Sequence, residues 1–363
     1  MLSTPAPELW RAAGARPVLR IAVVGAGRWG VNLIRAFQAT PAAHLAAVCD
    51  TSPERLNAVD GGFEKLSDFR SVLECSAVDV VAIATPPGSH SALAAQSLEA
   101  GKHVFVEKPM AVDLAGALAV RAAAARSGLR IMVGYVLQHH WAVSTLFAAV
   151  GSRLLGTPLA VLAHRGGGRL PGPAHPPWWS LAPHDVSLAN LLFESAARQV
   201  VATEDPETRE QLATISYACG RRATLRIEPR AEARQRRFIV IGTHGSAVFD
   251  DLEPLHKLKF YSLQLDPKVG LATADAALRS HAFDVPQATQ DEPLRRELAH
   301  FVESVQDDTP FRTGIDHAVD VVSALAAGET SLLSNGIPVT VKDWRQGALQ
   351  VQDGPSVSSS WRP

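Results

Sequence analysis

Apolar positions along the chain follow two rhythms. In the first, Leu19–Val24 is a short apolar run ending at Gly25, and Trp29, Leu33 and Phe37 then recur four apart. That pattern predicts a strand, a tight turn and a helix with one apolar stripe. The alternation repeats. Residues 45–49 predict a strand, and residues 78–84 are almost wholly apolar, as a strand buried on both faces requires. A helix carrying Leu93 and Leu98 runs to Gly101, a strand follows over 103–106, an alanine-rich helix fills about 112–127, and 131–133 forms another strand. Strands and helices alternating at this spacing predict βαβ units, a parallel sheet and right-handed crossovers.

After about Val136 the rhythm changes. Runs at 159–163, 212–218, 223–227, 237–241 and 247–249 are strand-like and come without intervening helices, and Thr243-His244-Gly245 marks a hairpin turn. Residues 166–180, GGGRLPGPAHPPWWS, predict a loop over a site. Helices are expected over about 291–306 and 314–334. The chain therefore divides into a disordered lead-in (1–17), a doubly wound parallel α/β domain (18–136), an α/β domain with an open, mainly antiparallel sheet (137–345) and a tail (346–363).

Composition narrows the function. Of 363 residues, 47 % are hydrophobic and 20 % charged, enough for a sizeable core. Thirty-five basic against 36 acidic residues lack the basic excess expected of a nucleic-acid binder. No apolar run reaches the roughly 18 residues of a membrane span, and the first residues lack the apolar core of a signal peptide. Cys49, Cys75 and Cys219 are scattered and odd in number, which fits a reducing cytoplasm and argues against a disulfide framework or a cysteine zinc site.

Gly25-Ala26-Gly27-Arg28-Trp29-Gly30 is G-x-G-x-x-G between a strand and a helix. Gly25 permits the tight turn, Gly27 lets the backbone approach a pyrophosphate, and Gly30 lets the helix pack closely on its strand. The helix N-terminus then receives the phosphates. Asp50 ends the second strand about 20 residues on, where a carboxylate bonds the ribose hydroxyls and repels a 2′-phosphate. NAD is expected, with NADP as the alternative that Arg55 keeps open. Glu107-Lys108-Pro109 lies at the carboxyl end of a strand, the edge where open α/β sheets bind ligands. A lysine there can polarise a carbonyl or shuttle a proton; a solvated Glu–Lys pair at a turn is the alternative. Thr85-Pro86-Pro87 ends the preceding strand on the same rim. Farther on, His184 and Asp185 follow Trp178-Trp179-Ser180-Leu181-Ala182-Pro183. Asp185 and Ser187 could cap the helix that runs on through Leu192, and a histidine at its entrance also suits acid–base work on an alcohol.

The segments VVGAGRWGVNLIRAF, VDVVAIATPPGSHSALAAQSLEAGKHVFVEKPM and WWSLAPHDVSLANLLF resemble the glucose–fructose oxidoreductase / inositol dehydrogenase / rhizopine catabolism (Gfo/Idh/MocA) family. The resemblance runs from about Leu19 to Val341 and includes Gly242-Thr243 and Asp250-Asp251. It implies a Rossmann NAD(P)-binding domain and a second domain for substrate binding and oligomerisation, as a homodimer or homotetramer. It also implies NAD(P)-dependent hydride transfer at a hydroxyl of a sugar, cyclitol or nucleotide sugar, a small-molecule substrate with no nucleic acid or membrane involved. By the same resemblance Lys108 assists catalysis, Glu107 approaches the nicotinamide ribose, the Lys108–Pro109 bond is cis, and Thr85, Pro86 and His90 line the cofactor.

The family's second motif is an aspartate four residues before a histidine. The histidine matches His184, but the aspartate position is Ser180, a departure that leaves the catalytic set incomplete. Within the family, the glycine turn, the Trp-x-Leu-Ala-Pro-His-Asp stretch and Asp250-Asp251 are similar to nucleotide-sugar dehydrogenases acting on UDP-N-acetylhexosamine-like substrates. Arg165 and Arg169 are then the candidates to meet the pyrophosphate, with Ser180, His184 and Asp185 against the sugar. Arg221, Arg222, Arg226, Arg230, Arg234, Arg236 and Arg237 crowd the second domain, where a solvated sheet face is the equal alternative. His139-His140, with His164 and His175, lacks metal-ligand spacing, so no metal is expected. Alternatives within the family are an inositol or free-aldose dehydrogenase and a transient-hydride glycosidase or epimerase. From another class comes a cofactor-binding regulator that has lost catalysis.

Overall fold

The computed structural model describes residues 17–167, 176–262, 282–285 and 292–345; Arg169, His175, the lead-in before Pro17 and the tail from 346 lie outside them. These residues form two compact units. One holds the described residues up to Glu107, with Ala119–Gly134 and Leu294–Gly314. The other holds Lys108–Leu118, the described residues from Tyr135 to Pro293, and those from Ile315 on.

The first unit is built on a six-stranded parallel sheet: β1 (Leu19–Val24), β2 (Ala43–Cys49), β3 (Glu64–Leu66), β4 (Val80–Ile83), β5 (His103–Glu107) and β6 (Ile131–Gly134). Their order is β3-β2-β1-β4-β5-β6, so the winding reverses between β1 and β4, where doubly wound sheets bind ligands. Every residue of β4 is buried, which its unbroken apolar run requires. The helices are α1 (Gly30–Gln38), α2 (Pro53–Asn57), α3 (Phe69–Glu74), α4 (His90–Glu99) and α5 (Leu114–Ser127). The short pieces α2, β3 and α3 carry too few apolar positions to show a period.

The second unit opens with α6 (Trp141–Gly151) and β7 (Pro158–Gly166). It continues with α7 (Pro177–Phe193), β8 (Ala197–Glu204), β9 (Gln211–Tyr217), β10 (Arg222–Glu228), β11 (Gln235–Gly242), β12 (Gly245–Asp250), β13 (Leu258–Ser262) and β14 (Ala282–Val285). Next along the chain comes α8 (Pro293–Gln306), whose residues from Leu294 belong to the first unit, followed by α9 (Ile315–Leu333) and β15 (Val339–Thr340) of the second. The nine strands form one sheet in the order β14-β13-β12-β11-β7-β10-β9-β8-β15. All pairs are antiparallel except β7 with β10. The β11–β12 hairpin turns at Thr243-His244, as expected.

Three expectations are corrected. Residues 177–180 are not loop but the first turn of α7, which starts at Pro177, where a proline is tolerated because its missing N–H has no helical partner to serve. Asp185 and Ser187 therefore sit in the helix interior, both buried, and cap nothing. Residues 294–314, grouped by sequence with the second domain, pack in the first unit. There Phe301 of α8 meets Phe105 of β5 edge to face (5.6 Å), Phe311 stacks on Phe301 (5.6 Å), and Thr313 Oγ1 donates to the Val133 carbonyl (2.8 Å).

In the second unit α7 and α9 are pinned by Trp178, whose Nε1 donates to the Leu325 carbonyl (2.8 Å). Gly328 makes room for that ring: a Cβ there would stand 2.2 Å from Trp178 Cζ2. Gly328→Ala should overpack this contact and cost about 1–3 kcal/mol, read as a lower urea midpoint; an unchanged midpoint would show that the indole yields freely.

Candidate active site

In the first unit the β1–α1 turn behaves as its glycines require. Gly25 has φ +98° and a Cβ on it would stand 2.7 Å from the Ala84 carbonyl oxygen, so only glycine fits. A Cβ on Gly30 would collide with the Gly25 carbonyl at 1.7 Å. At Gly27, by contrast, a Cβ would meet nothing within 4 Å: open space lies against backbone at the start of α1, the cradle a pyrophosphate needs. Asp50 is buried, and its Oδ2 accepts from Ala26 N (2.8 Å) and its Oδ1 from Ser52 N (2.9 Å). The carboxylate is thus fixed to the turn and keeps lone pairs for ribose hydroxyls. Arg55 Nη1 lies 3.7 Å from it but is well exposed.

Around the rim, Thr85 Oγ1 and Ser89 Oγ are 2.7 Å apart, and Ser89 Oγ donates to the Pro86 carbonyl (2.8 Å). His90 is buried, and its Nε2–H donates to the Thr85 carbonyl (2.7 Å), so its ring secures the rim. Arg28 and Trp29 are exposed at the turn, and the Trp29 Nε1–H donates to Glu107 Oε1. Glu107 pairs in register with Gly134, where a Cβ would crowd its carboxylate at 3.1 Å. The turn, Asp50, Thr85, Pro86 and Glu107 fit a dinucleotide and would hold it.

Sequence reasoning missed Glu297. It is fully buried on α8, both its oxygens lack a hydrogen-bond partner among the described residues, and burial together with the Glu107 charge pushes its carboxyl well above the usual range. No local signal marks it, because it arrives one helical turn before Phe301, from 190 positions beyond Glu107 in the chain.

In the second unit Lys108 and His184 come together. The Lys108–Pro109 bond is cis, and Lys108 Nζ donates to the Ser180 carbonyl (3.0 Å). At position 180 it is thus the backbone, rather than a side-chain carboxylate, that holds the lysine. One turn on, burial and the charges of Lys108, Arg165 and Arg236 hold His184 well below the usual histidine value, so the ring is neutral at pH 7. Its Nδ1 is buried without a partner among the described residues. Asp185 is buried and grips Arg165 through two bonds, Nε to Oδ2 (2.5 Å) and Nη2 to Oδ1 (2.8 Å). Burial pushes Asp185 up, while Arg165, Arg236 and Lys108 pull it back toward the charged form.

Arg165, expected from sequence at a pyrophosphate, is thus buried in a two-bond ion pair with Asp185. Arg236 sits opposite it in the β7–β11 register, half-buried, with Nη1 donating to the Gly166 (2.7 Å) and Gln235 (2.6 Å) carbonyls. Burial, then Arg165 and Arg234, lower its pKa; Asp185 and Asp251 oppose this. Among the described residues the charges that bear on His184 are the positive ones of Lys108, Arg165 and Arg236. Others of the arginine group are surface partners: Arg226 pairs with Glu210 and Glu228, Arg237 with Asp250, Arg230 with the Glu207 carbonyl, and Arg221 lies over Phe193.

The remaining histidines are apart. His140 caps α6, accepting from Ala142 N (3.1 Å), and His164 donates to Glu228 (2.5 Å). Among the described residues no three ligand-type side chains gather to hold a metal, and no helix is long and apolar enough to cross a membrane. A group invisible from sequence is Gln138, Ser187 and His317: Gln138 Nε2 donates to Ser187 Oγ, which lies 2.8 Å from His317 Nε2.

The model of an oxidoreductase family with an NAD-binding Rossmann fold matches residues 19–135. Three curated relatives are matched over less than half of their own length. Among them, D-apiose dehydrogenase of Paraburkholderia graminis is 33 % identical over 140 residues, 38 % of this chain and 37 % of that one. The scyllo-inositol 2-dehydrogenase (NAD(+)) of Bacillus subtilis is 26 % identical over 357 residues, covering 88 % of this chain and 96 % of that one. A crystallised protein of Magnetospirillum magnetotacticum MS-1, described as an oxidoreductase, is 30 % identical, with a TM-score of 0.73 over 86 % of this chain and 99 % of that one. A UDP-N-acetylglucosamine 3-dehydrogenase of Acidithiobacillus ferrooxidans shares the fold at 22 % identity, with a TM-score of 0.74 over 87 % of this chain and 98 % of that one. With this cofactor turn and this second sheet, the chain belongs to the Gfo/Idh/MocA family of oxidoreductases, whose Rossmann fold binds NAD.

Proposed function

We infer that the protein is an NAD-dependent dehydrogenase acting at a hydroxyl of a sugar that carries an anionic group, a nucleotide sugar in the first instance. One observation carries this reading. Lys108, held at the Ser180 carbonyl, and neutral His184 share the helix α7 neighbourhood, amid an excess of positive charge. Bound NAD supplies the hydride acceptor. His184, neutral at working pH, takes the hydroxyl proton, and the Lys108 ammonium hydrogen-bonds the oxygen as it becomes a carbonyl; in the reverse direction the His184 imidazolium returns that proton while Lys108 holds the same oxygen. Arg236, rather than Arg165, is the cation left to meet the substrate's phosphate or carboxylate. Arg169, which lies outside the described residues, is proposed for the same role.

A neutral cyclitol is the second reading, favoured by the length of the match to the scyllo-inositol dehydrogenase. Native mass spectrometry of the purified protein separates the two. Bound NAD(H) with a UDP- or dTDP-linked fragment supports the nucleotide sugar, whereas NAD(H) alone together with turnover of inositol overturns it. A homodimer or homotetramer in the cytoplasm is proposed as the working form. Leu162 and Leu212, 40 % and 48 % exposed on the sheet face opposite α7, support such an assembly.

Lys108→Ala should lower kcat by about 10²-fold or more, in the range of general acid–base catalysis, while NADH affinity measured by fluorescence titration is kept. Turnover equal to wild type would remove Lys108 from the mechanism. The histidine gives a pH test. Because the positive neighbours depress His184, kcat/KM for oxidation should stay level as pH falls to the ordinary histidine value of 6.5 and decline only below it. Arg236→Gln removes one such neighbour and should move that limb upward. A wild-type limb centred above 6.5 would contradict a depressed base.

A further inference from the structure

Two buried polar atoms of the second unit lack partners among the described residues and sit on rings that meet each other: the Tyr135 hydroxyl and His184 Nδ1. The rings are edge to face, with centroids 6.4 Å apart and planes at 78°. Leaving a polar atom buried and unpaired forfeits its hydration with nothing in return, so each such atom asks for a reason.

The tyrosine is held from behind. It follows β6 directly and is fully buried, and its ring also meets His317 edge to face at 5.7 Å and 90°. His317 is itself fixed by Ser187 of α7, which Gln138 bonds in turn. Burial brings the His317 pKa down to about 4, with Asp320 opposing, so this support is neutral at working pH. A side chain supported in this way from several directions is a precise platform. His184 has no such anchor on Nδ1. Four residues earlier, where the family pattern puts an aspartate, Ser180 offers its backbone to Lys108. A histidine that must present one nitrogen as a base needs the other fixed, or two tautomers divide its population.

We propose that Tyr135 is the positioning residue of His184: its hydroxyl oxygen takes the Nδ1–H of the imidazole in the working enzyme, so that a neutral phenol does the orienting that the serine at position 180 cannot. The proposal rests on the reading of His184 as the acid–base group. A small turn of the imidazole closes the bond, as catalytic hydrogen bonds that are long in the free protein tighten in use. No proton leaves Nδ1, and the substrate's proton goes to Nε2. Burial raises the phenol pKa further, so the oxygen stays protonated and adds no negative charge to the cluster.

Tyr135→Phe removes the oxygen and little else, which makes it the variant of choice. Three readouts apply to the full-length, NADH-loaded protein. The kcat should fall by about tenfold, the worth of one well-placed hydrogen bond, with KM and NADH affinity within about twofold of wild type. The thermal midpoint should hold or rise, since an unpaired buried hydroxyl is gone; a merely structural tyrosine would lose stability and turnover together. In ¹⁵N spectra of the histidines, His184 should carry its proton on Nδ1 in wild type and lose that preference in Tyr135→Phe. A variant with wild-type kcat, or a His184 protonated on Nε2 in both proteins, overturns the proposal. Failure of the dehydrogenase reading would look different: no sugar turned over, with the tautomer measurement still deciding on Tyr135.

Discussion

The hydrogen bond from Lys108 to the Ser180 carbonyl sets the electrostatics of the second unit. A carbonyl can hold an ammonium group but, unlike a carboxylate, brings no charge to cancel it. The Lys108 charge therefore acts on His184, with those of Arg165 and Arg236. In a half-buried setting a unit charge a few ångströms away is worth several kcal/mol at an effective dielectric near 20. His184 is kept neutral by that field, and a neutral imidazole is the form that can accept a proton. An aspartate at 180 would weaken the field and raise the histidine; serine preserves both the depressed base and the attraction for an anion.

The same field explains why Arg165 and Asp185 are locked together. A buried ion pair gains little net stability over apolar residues of the same volume, but breaking it strands a charge. Here the pair ties β7 to the middle of α7, the helix that carries His184, and so fixes the base relative to the sheet. Pro183, inside that helix, cannot donate to the carbonyl four residues back, and it lies between Ser180, whose carbonyl holds Lys108, and His184. The helix is thus secured by side chains where its own ladder is interrupted.

Much of the first unit was legible in the chain because its strands are buried on both faces and read as unbroken apolar runs, and because glycine is the one residue that fits at Gly25 and Gly30. Lys108 and His184 were legible through motif and resemblance. What stayed hidden has physical causes. The helix α6, Trp141–Gly151, is apolar on most of its surface, so no 3.6-residue stripe announces it. The start of α7 was masked by the glycine and proline before it, although a proline at the first helical position is itself a start signal. For Arg165 the sequence shows its charge and not the buried Asp185, twenty residues on, with which it pairs. Tyr135, His317 and Glu297 reach their places by tertiary packing and carry no spacing that could be read.

Two of those last residues share a feature that recurs within each unit. Among the described residues, Glu297 of the first unit buries a carboxyl without a partner beside Glu107, and Tyr135 and His184 of the second bury a hydroxyl and a ring nitrogen unpaired. A core selected for stability alone would fill such positions with apolar side chains. Among the described residues such atoms occur beside Glu107 and at His184, where cofactor and proton chemistry are proposed, as well as at Asn190, Gln211, Tyr217 and Ser323; at the first two places stability is given up where groups are placed to engage something else. That coincidence argues against the reading of a protein that has shed its catalysis. Once activity is no longer selected, nothing resists replacement of a costly buried polar group by an apolar one, and these groups are still present.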